Sequence, residues 1–123
     1  MSKKVLVVDD ERDCLDMASI SLRLFGDWEV FQAQSGASGL QKVQELMPSV
    51  VLLDYYLTDM TGGEFLTRLR QIEELKEIPV VVYSGSPEAA KKDPACSEHV
   101  EILAKPLNPD SLSDTLKKVC GLD

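Results

Sequence analysis

The chain lacks most features that would announce a specialised class. In 123 residues it has one histidine, one tryptophan and three cysteines (Cys14, Cys96, Cys120) without CxxC spacing. An odd number of cysteines so spaced argues for reduced, structural thiols rather than a disulfide framework or a metal site. The lone histidine, His99, reads as a surface residue. Basic residues are scarce, with 13 Lys and Arg against 21 Asp and Glu, a net charge of −8. That balance argues against direct nucleic-acid binding, because phosphate contacts need clustered Lys and Arg. No apolar run is long enough to span a membrane, and the one after Met1-Ser2-Lys3-Lys4 is too short for a signal peptide. The protein is therefore expected to be cytoplasmic, with no membrane association. No repeat, low-complexity tract or linker interrupts the chain, so residues 1–123 are expected to form one domain.

What is present is a set of short apolar runs, each ending in a chemically able residue. Val50-Val51-Leu52-Leu53 ends in Asp54, and Val5-Leu6-Val7-Val8 ends in Asp9-Asp10. Val80-Val81-Val82-Tyr83 ends in Ser84-Gly85, and Val100 to Ala104 ends in Lys105-Pro106. Runs that are apolar on both faces and rich in β-branched residues read as strands buried between layers. A more polar run, Trp28 to Ala33, reads as a strand nearer the sheet edge, with Trp28 partly buried.

Helical patterns separate these strands. Leu15, Ala18, Leu22 and Phe25 mark one face of a first helix, which Gly26-Asp27 stops. Ser35 is a candidate cap for a second, with Leu40, Val43 and Met47 on its inner face. Thr61-Gly62-Gly63-Glu64 fits a capping box before the stripe Phe65, Leu69, Ile72. Ser86-Pro87-Glu88 starts a polar fourth helix expected to reach about Ala95, and Asn108-Pro109-Asp110 starts a fifth. Five βα units imply an α/β fold: a five-stranded parallel sheet, doubly wound in the flavodoxin-like order 2-1-3-4-5. That order sets the first and third strands side by side at the topological switch point. It would bring Asp9 and Asp10 next to Asp54.

Three carboxylates in a small space repel one another and raise each other's pKa. A divalent cation relieves this, and hard oxygen ligands suit Mg²⁺. A carboxylate beside bound Mg²⁺ can act as a nucleophile in phosphoryl transfer and form an acyl phosphate. Ser84 and Lys105 would hold the incoming phosphoryl oxygens, one by hydrogen bond and one by charge.

The motifs Val7-Val8-Asp9-Asp10-Glu11, Leu52-Leu53-Asp54, Ser84 and Lys105-Pro106 resemble, in order and spacing, the receiver domain of bacterial two-component response regulators. The resemblance covers essentially the whole chain. It implies that Asp54 is the phosphoacceptor and also faces the metal. It implies that Asp10 binds Mg²⁺ directly, that Asp9 helps position it, and that the backbone carbonyl of Tyr56 is a further ligand. Ser84 is then the switch hydroxyl, Lys105 pairs with the phosphoryl group, and the Lys105-Pro106 bond is expected to be cis. The donor would be a histidine kinase or phosphotransfer protein. The signal would be a conformational shift of the face built from the fourth helix, fifth strand and fifth helix, read by a downstream protein that the sequence does not identify. Such a domain is not an enzyme in the ordinary sense, although it would promote its own phosphorylation and dephosphorylation.

The chain departs from the family pattern at three places. Leu57-Thr58 stands where Met-Pro is usual, which is expected to loosen that loop. Gly85 replaces the usual alanine after the hydroxyl, and Ile102 replaces the usual aromatic residue three before the lysine. Two other readings compete with this one. An aspartyl phosphatase needs a second carboxylate in an Asp-x-Asp pattern, whereas this chain reads Asp54-Tyr55-Tyr56. A receiver-like interaction module that is not phosphorylated is the alternative that the three departures keep open.

Overall fold

The computed structural model describes residues 3–96 and 100–121. His99 lies outside the described residues. The strands are β1 (Lys3–Val8), β2 (Trp28–Ala33), β3 (Val50–Asp54), β4 (Val80–Ser84) and β5 (Val100–Ala104). The helices are α1 (Arg12–Phe25), α2 (Gly36–Leu46), α3 (Gly62–Arg70), α4 (Pro87–Lys92) and α5 (Pro109–Val119). All strand pairs are parallel, in the order β2-β1-β3-β4-β5. The expected architecture is thus the observed one.

Strand alternation divides the core in two. Leu6, Val8, Val51, Leu53, Val80 and Val82 pack on the side of α2, α3 and α4, around Phe65 and Leu69. Val5, Val7, Val50, Leu52, Val81 and Tyr83 face α1 and α5, around Leu15, Leu22 and Leu116. Every residue of β3 and β4 is buried. This is why both strands read as unbroken apolar runs. β5, at the sheet edge, is partly exposed and carries the exposed Glu101. A charge there discourages pairing with another strand.

Three helix starts follow the cap chemistry, whereas Glu11 before α1 and Ser86 before α4 make no side-chain cap bond. The Ser35 hydroxyl accepts from the Ser38 N–H at 3.0 Å, and Asn108 accepts from the Asp110 N–H at 3.0 Å. Thr61 and Glu64 form the reciprocal capping box. Four expectations need correction. α4 ends at Lys92 rather than near Ala95, because Pro94 disfavours helical backbone at Asp93, which is extended (φ −79°, ψ 119°). A separate 3-10 turn, Pro94–Cys96, follows. Met47 lies beyond the last turn of α2 in left-handed backbone (φ 47°), with its side chain exposed. Phe25, on the last turn of α1, is also half exposed. Trp28, by contrast, is buried, and its indole N–H donates to Ser113 Oγ at 2.8 Å. Gly26 makes room for it, since a Cβ there would meet Ser113 Oγ at 2.3 Å.

Phe65 is completely buried, whereas Thr61 acts at an exposed helix end. Phe65→Ala is expected to cost roughly 3–5 kcal/mol of unfolding free energy. Thr61→Ala is expected to cost about 1 kcal/mol. Urea unfolding followed by Trp28 fluorescence measures both, and comparable losses would contradict this account of the core.

Candidate functional site

Register builds the site. In β1 and β3, Val5 pairs with Val50 and Val7 with Leu52. Continuing by two residues sets Asp9 beside Asp54. On the other side of β3, Asp54 pairs directly with Tyr83 of β4. Asp9, Asp54 and Tyr83 follow residues that face α1 and α5, so strand alternation turns all three to that same face. The side chains converge at the carboxyl ends of the central strands, next to the switch point.

Lys105, immediately after β5, lies at the centre. Its Nζ is 3.4 Å from Asp9 Oδ2, 3.4 Å from Asp54 Oδ2 and 3.4 Å from Glu11 Oε1. It also sits 4.8 Å above the centre of the Tyr83 ring. Burial disfavours the ammonium, but the Asp54 and Asp9 carboxylates outweigh that effect and hold its pKa above the ordinary lysine value. Asp9 has no exposed surface, and Asp54 is 4% exposed. Asp9 is fully engaged: Oδ1 accepts from the Glu11 N–H at 2.9 Å, and Oδ2 accepts from the Tyr83 hydroxyl. Burial, followed by the neighbouring Asp9 charge, raises the Tyr83 phenol, which therefore remains a donor.

Asp54 receives less support. Burial first and Asp9 second push its carboxyl up to about 7, against the opposing pull of Lys105. One ammonium thus serves three carboxylates, two of them removed from water. Asp9, Glu11 and Asp54 each offer an oxygen within 4.8 Å of the others. Clustered hard oxygens with excess negative charge fit Mg²⁺.

The other anticipated residues lie close by in different roles. Ser84 is buried at the end of β4, where its hydroxyl accepts from the Ser86 N–H at 3.0 Å. The Lys105-Pro106 peptide is cis. Asp10 is half-buried and accepts a hydrogen bond from the Thr58 hydroxyl. Tyr56 pairs with Thr61 across the loop, through the bonds Leu57 N–H to Met60 O (3.1 Å) and Gly62 N–H to Tyr55 O (2.6 Å). Those bonds use the neighbours' groups and so do not occupy the Tyr56 carbonyl. The loop is more firmly held than its missing proline suggested. Asp59 accepts from the Gly36 and Ala37 N–H groups at 2.9 and 3.0 Å, Thr58 reaches Asp10, and Leu57 and Met60 are buried. These backbone donors, the Gly36 N–H foremost, keep the Asp59 carboxyl below its usual pKa.

Sequence reasoning did not assign Tyr83, Thr58 or the Glu11 carboxylate to the site. Tyr83 was accessible through strand alternation, since it holds on β4 the place that Asp54 holds on β3. Thr58 and Glu11 lie on loops, where no periodicity fixes side-chain direction.

Comparison with known proteins agrees with this geometry. The family model described as the response regulator receiver domain matches residues 5–117. The two-component response regulator ORR5 of Oryza sativa subsp. japonica is 32% identical over 118 residues, covering 94% of this chain and 87% of its own length. Among solved structures, the chemotaxis response regulator CheY4 of Vibrio cholerae has a TM-score of 0.85 at 32% identity, covering 97% of this chain and 99% of its own. A response regulator receiver domain protein from Clostridium thermocellum has a TM-score of 0.84 at 27% identity, with 97% and 94% covered.

The raised Asp54 pKa makes a stability prediction. The folded protein keeps this proton to about pH 7, whereas the unfolded chain releases it near the ordinary aspartate value of 3.8. Between those values the unfolded state binds fewer protons, so stability falls as pH rises, and the full cost is felt above pH 7. Without divalent metal, Asp54→Asn is expected to stabilise the protein by on the order of 2–4 kcal/mol at pH 8 and much less at pH 4. Chemical denaturation in chelator at both pH values checks this; a variant less stable than wild type at pH 8 would contradict it.

Proposed function

This chain belongs to the response regulator receiver domain family, and from that premise we propose that Asp54 is its phosphoacceptor. Residues 1–123 are read as one such domain. Phosphorylation on an aspartate is the general property of the family, and receiver domains bind Mg²⁺ at an acidic pocket. One observation carries the assignment to Asp54: it is the buried carboxylate least compensated by its neighbours, facing the only ammonium in the cluster.

In the proposed reaction, the phosphoryl group comes from a histidine kinase or a phosphotransfer protein. A carboxylate oxygen of Asp54 bonds to phosphorus as the donor's P–N bond breaks, and the electron pair returns to the imidazole nitrogen. Lys105 neutralises charge on the transferred oxygens. Ser84 supplies a hydroxyl to them once it turns from Ser86. Asp9, Asp10, Asp54 and the Tyr56 carbonyl are the proposed metal ligands, with Glu11 within reach. Bound Mg²⁺ would offset the carboxylate charge and polarise the phosphoryl group. Lys105 and Tyr83 hold the Asp9 carboxylate in place throughout. The acyl phosphate is then lost by slow hydrolysis promoted by the same residues. The phosphorylated state favours a second arrangement of α4, β5 and α5, which a downstream protein reads.

The test is intact mass after incubation with acetyl phosphate. One Mg²⁺-dependent phosphoryl adduct is expected in wild type and none in Asp54→Asn. Absence of an adduct in folded wild-type protein would overturn the assignment and favour an interaction module.

The surface beside the pocket supports a place for the donor. A cavity of about 310 Å³ lies between α1 and the segment after β5, and Lys105 and Tyr83 form part of its wall. Met17, also in that wall, is 56% exposed, and Ile20 (55%) and Leu24 (72%) continue the row along α1. This apolar row adjoins the cavity whose wall includes Lys105 and Tyr83 of the acid site, so the donor protein is read as docking there. Ile20→Glu and Leu24→Glu are each expected to slow phosphorylation by the phosphodonor protein at least about tenfold, on the order of one lost apolar contact. Adduct formation from acetyl phosphate should be unchanged. Equal slowing with both donors would contradict the docking role.

A further inference from the structure

We propose that Thr58 is a positioning residue that competes with the metal for Asp10. Its hydroxyl holds the Asp10 carboxylate outside the buried acid cluster and has to release it before Asp10 can ligate Mg²⁺. The inference rests on the reading of Asp10 as a ligand.

The two members of the acid pair are held in different ways. Asp9 is wholly buried, oriented by the Glu11 N–H and the Tyr83 hydroxyl, and its oxygen belongs to the cluster with Glu11 and Asp54. Asp10 is half-buried and does not belong to that group among the described residues. Its Oδ2 accepts instead from Thr58 Oγ1, across 48 positions of sequence. Thr58 cannot simply follow Asp10 inward, because its loop is anchored on both sides. Leu57 is buried and donates to the Met60 carbonyl at 3.1 Å. Asp59 is fixed to the first turn of α2 by two backbone donors. Rotation of Asp10 into the cluster therefore breaks the Thr58 bond.

A hydroxyl-to-carboxylate bond is charge-assisted and stronger than a neutral one. Its loss is subtracted from whatever the metal gains, so the hydroxyl weakens apparent metal affinity by stabilising the metal-free arrangement. The proline usual at this position has no hydroxyl and imposes no such competition. Thr58 is exposed, so substitution there leaves the core intact.

The experiment is calorimetric titration of the full chain with MgCl₂, for wild type, Thr58→Val, Thr58→Ser and Asp10→Ala. Valine keeps the branched shape and removes the hydroxyl, whereas serine keeps the hydroxyl. Thr58→Val is expected to lower the Mg²⁺ Kd by roughly three- to tenfold, the equivalent of one hydrogen bond no longer broken. Thr58→Ser should stay within about twofold of wild type. A gain in affinity is not what structural damage would produce. An unchanged or weaker Kd in Thr58→Val, with binding lost in Asp10→Ala, overturns the competition alone. Asp10→Ala binding Mg²⁺ as wild type does overturns the ligand assignment as well.

Discussion

The site depends on a single ammonium shared by carboxylates that the sheet forces together. Asp9 and Asp54 are not free to separate, because the register of β1 against β3 fixes them side by side at buried strand ends. Lys105 reaches both from the far side of β4, and its position follows in turn from the pairing of Ser84 with Ala104. Backbone hydrogen bonding, set by apolar alternation along each strand, thereby holds an electrostatic arrangement that would not assemble from its own charges. Two largely buried acids with one base leave excess negative charge at the strand ends. The carboxyl with the weaker set of donors carries that excess as a raised proton affinity.

Much of this was legible in the residues. The apolar runs, the helix caps and the order of βα units determine the doubly wound sheet, and the reactive residues are those that end the runs. Legibility failed where burial or direction depended on distant partners. Trp28 opens an edge strand and looks half-exposed until Ser113 of α5 supplies an acceptor for its indole. Phe25 and Met47 continue helical spacing, but each falls at an end where no partner surface remains. α4 stops early because Pro94 acts on the residue before it. The proline appears in the sequence, yet the alanine-rich pattern around it favours a longer helix.

The loop after Asp54 illustrates the same limit. A missing proline suggested looseness, since proline narrows the backbone freedom of a loop. Side chains provide the restraint instead. Asp59 reaches the start of α2, Thr58 reaches Asp10, and the Tyr55 hydroxyl donates to Asp93 at 2.7 Å. The last contact ties the residue after Asp54 to the segment that ends α4. Gly63 admits this approach, for a Cβ there would meet Asp93 Oδ2 at 1.9 Å. Ile102 stands on β5 where the family usually has an aromatic ring, and the Tyr55–Asp93 bond ties the residue after β3 to the end of α4.

Tyr83 has two neighbourhoods. Its hydroxyl meets Asp9 and its ring face meets Lys105, and the residue also lines the apolar cavity beside α1. Lys105 borders both spaces as well. A partition common to two compartments couples what happens in them. An occupant of the cavity that prefers one placement of this ring or ammonium also alters the hold on Asp9, and changes at the carboxylates alter the cavity's affinity by the same factor. In a family whose members are phosphorylated by a partner protein, a donor docked at this cavity would have recognition and transfer under one constraint.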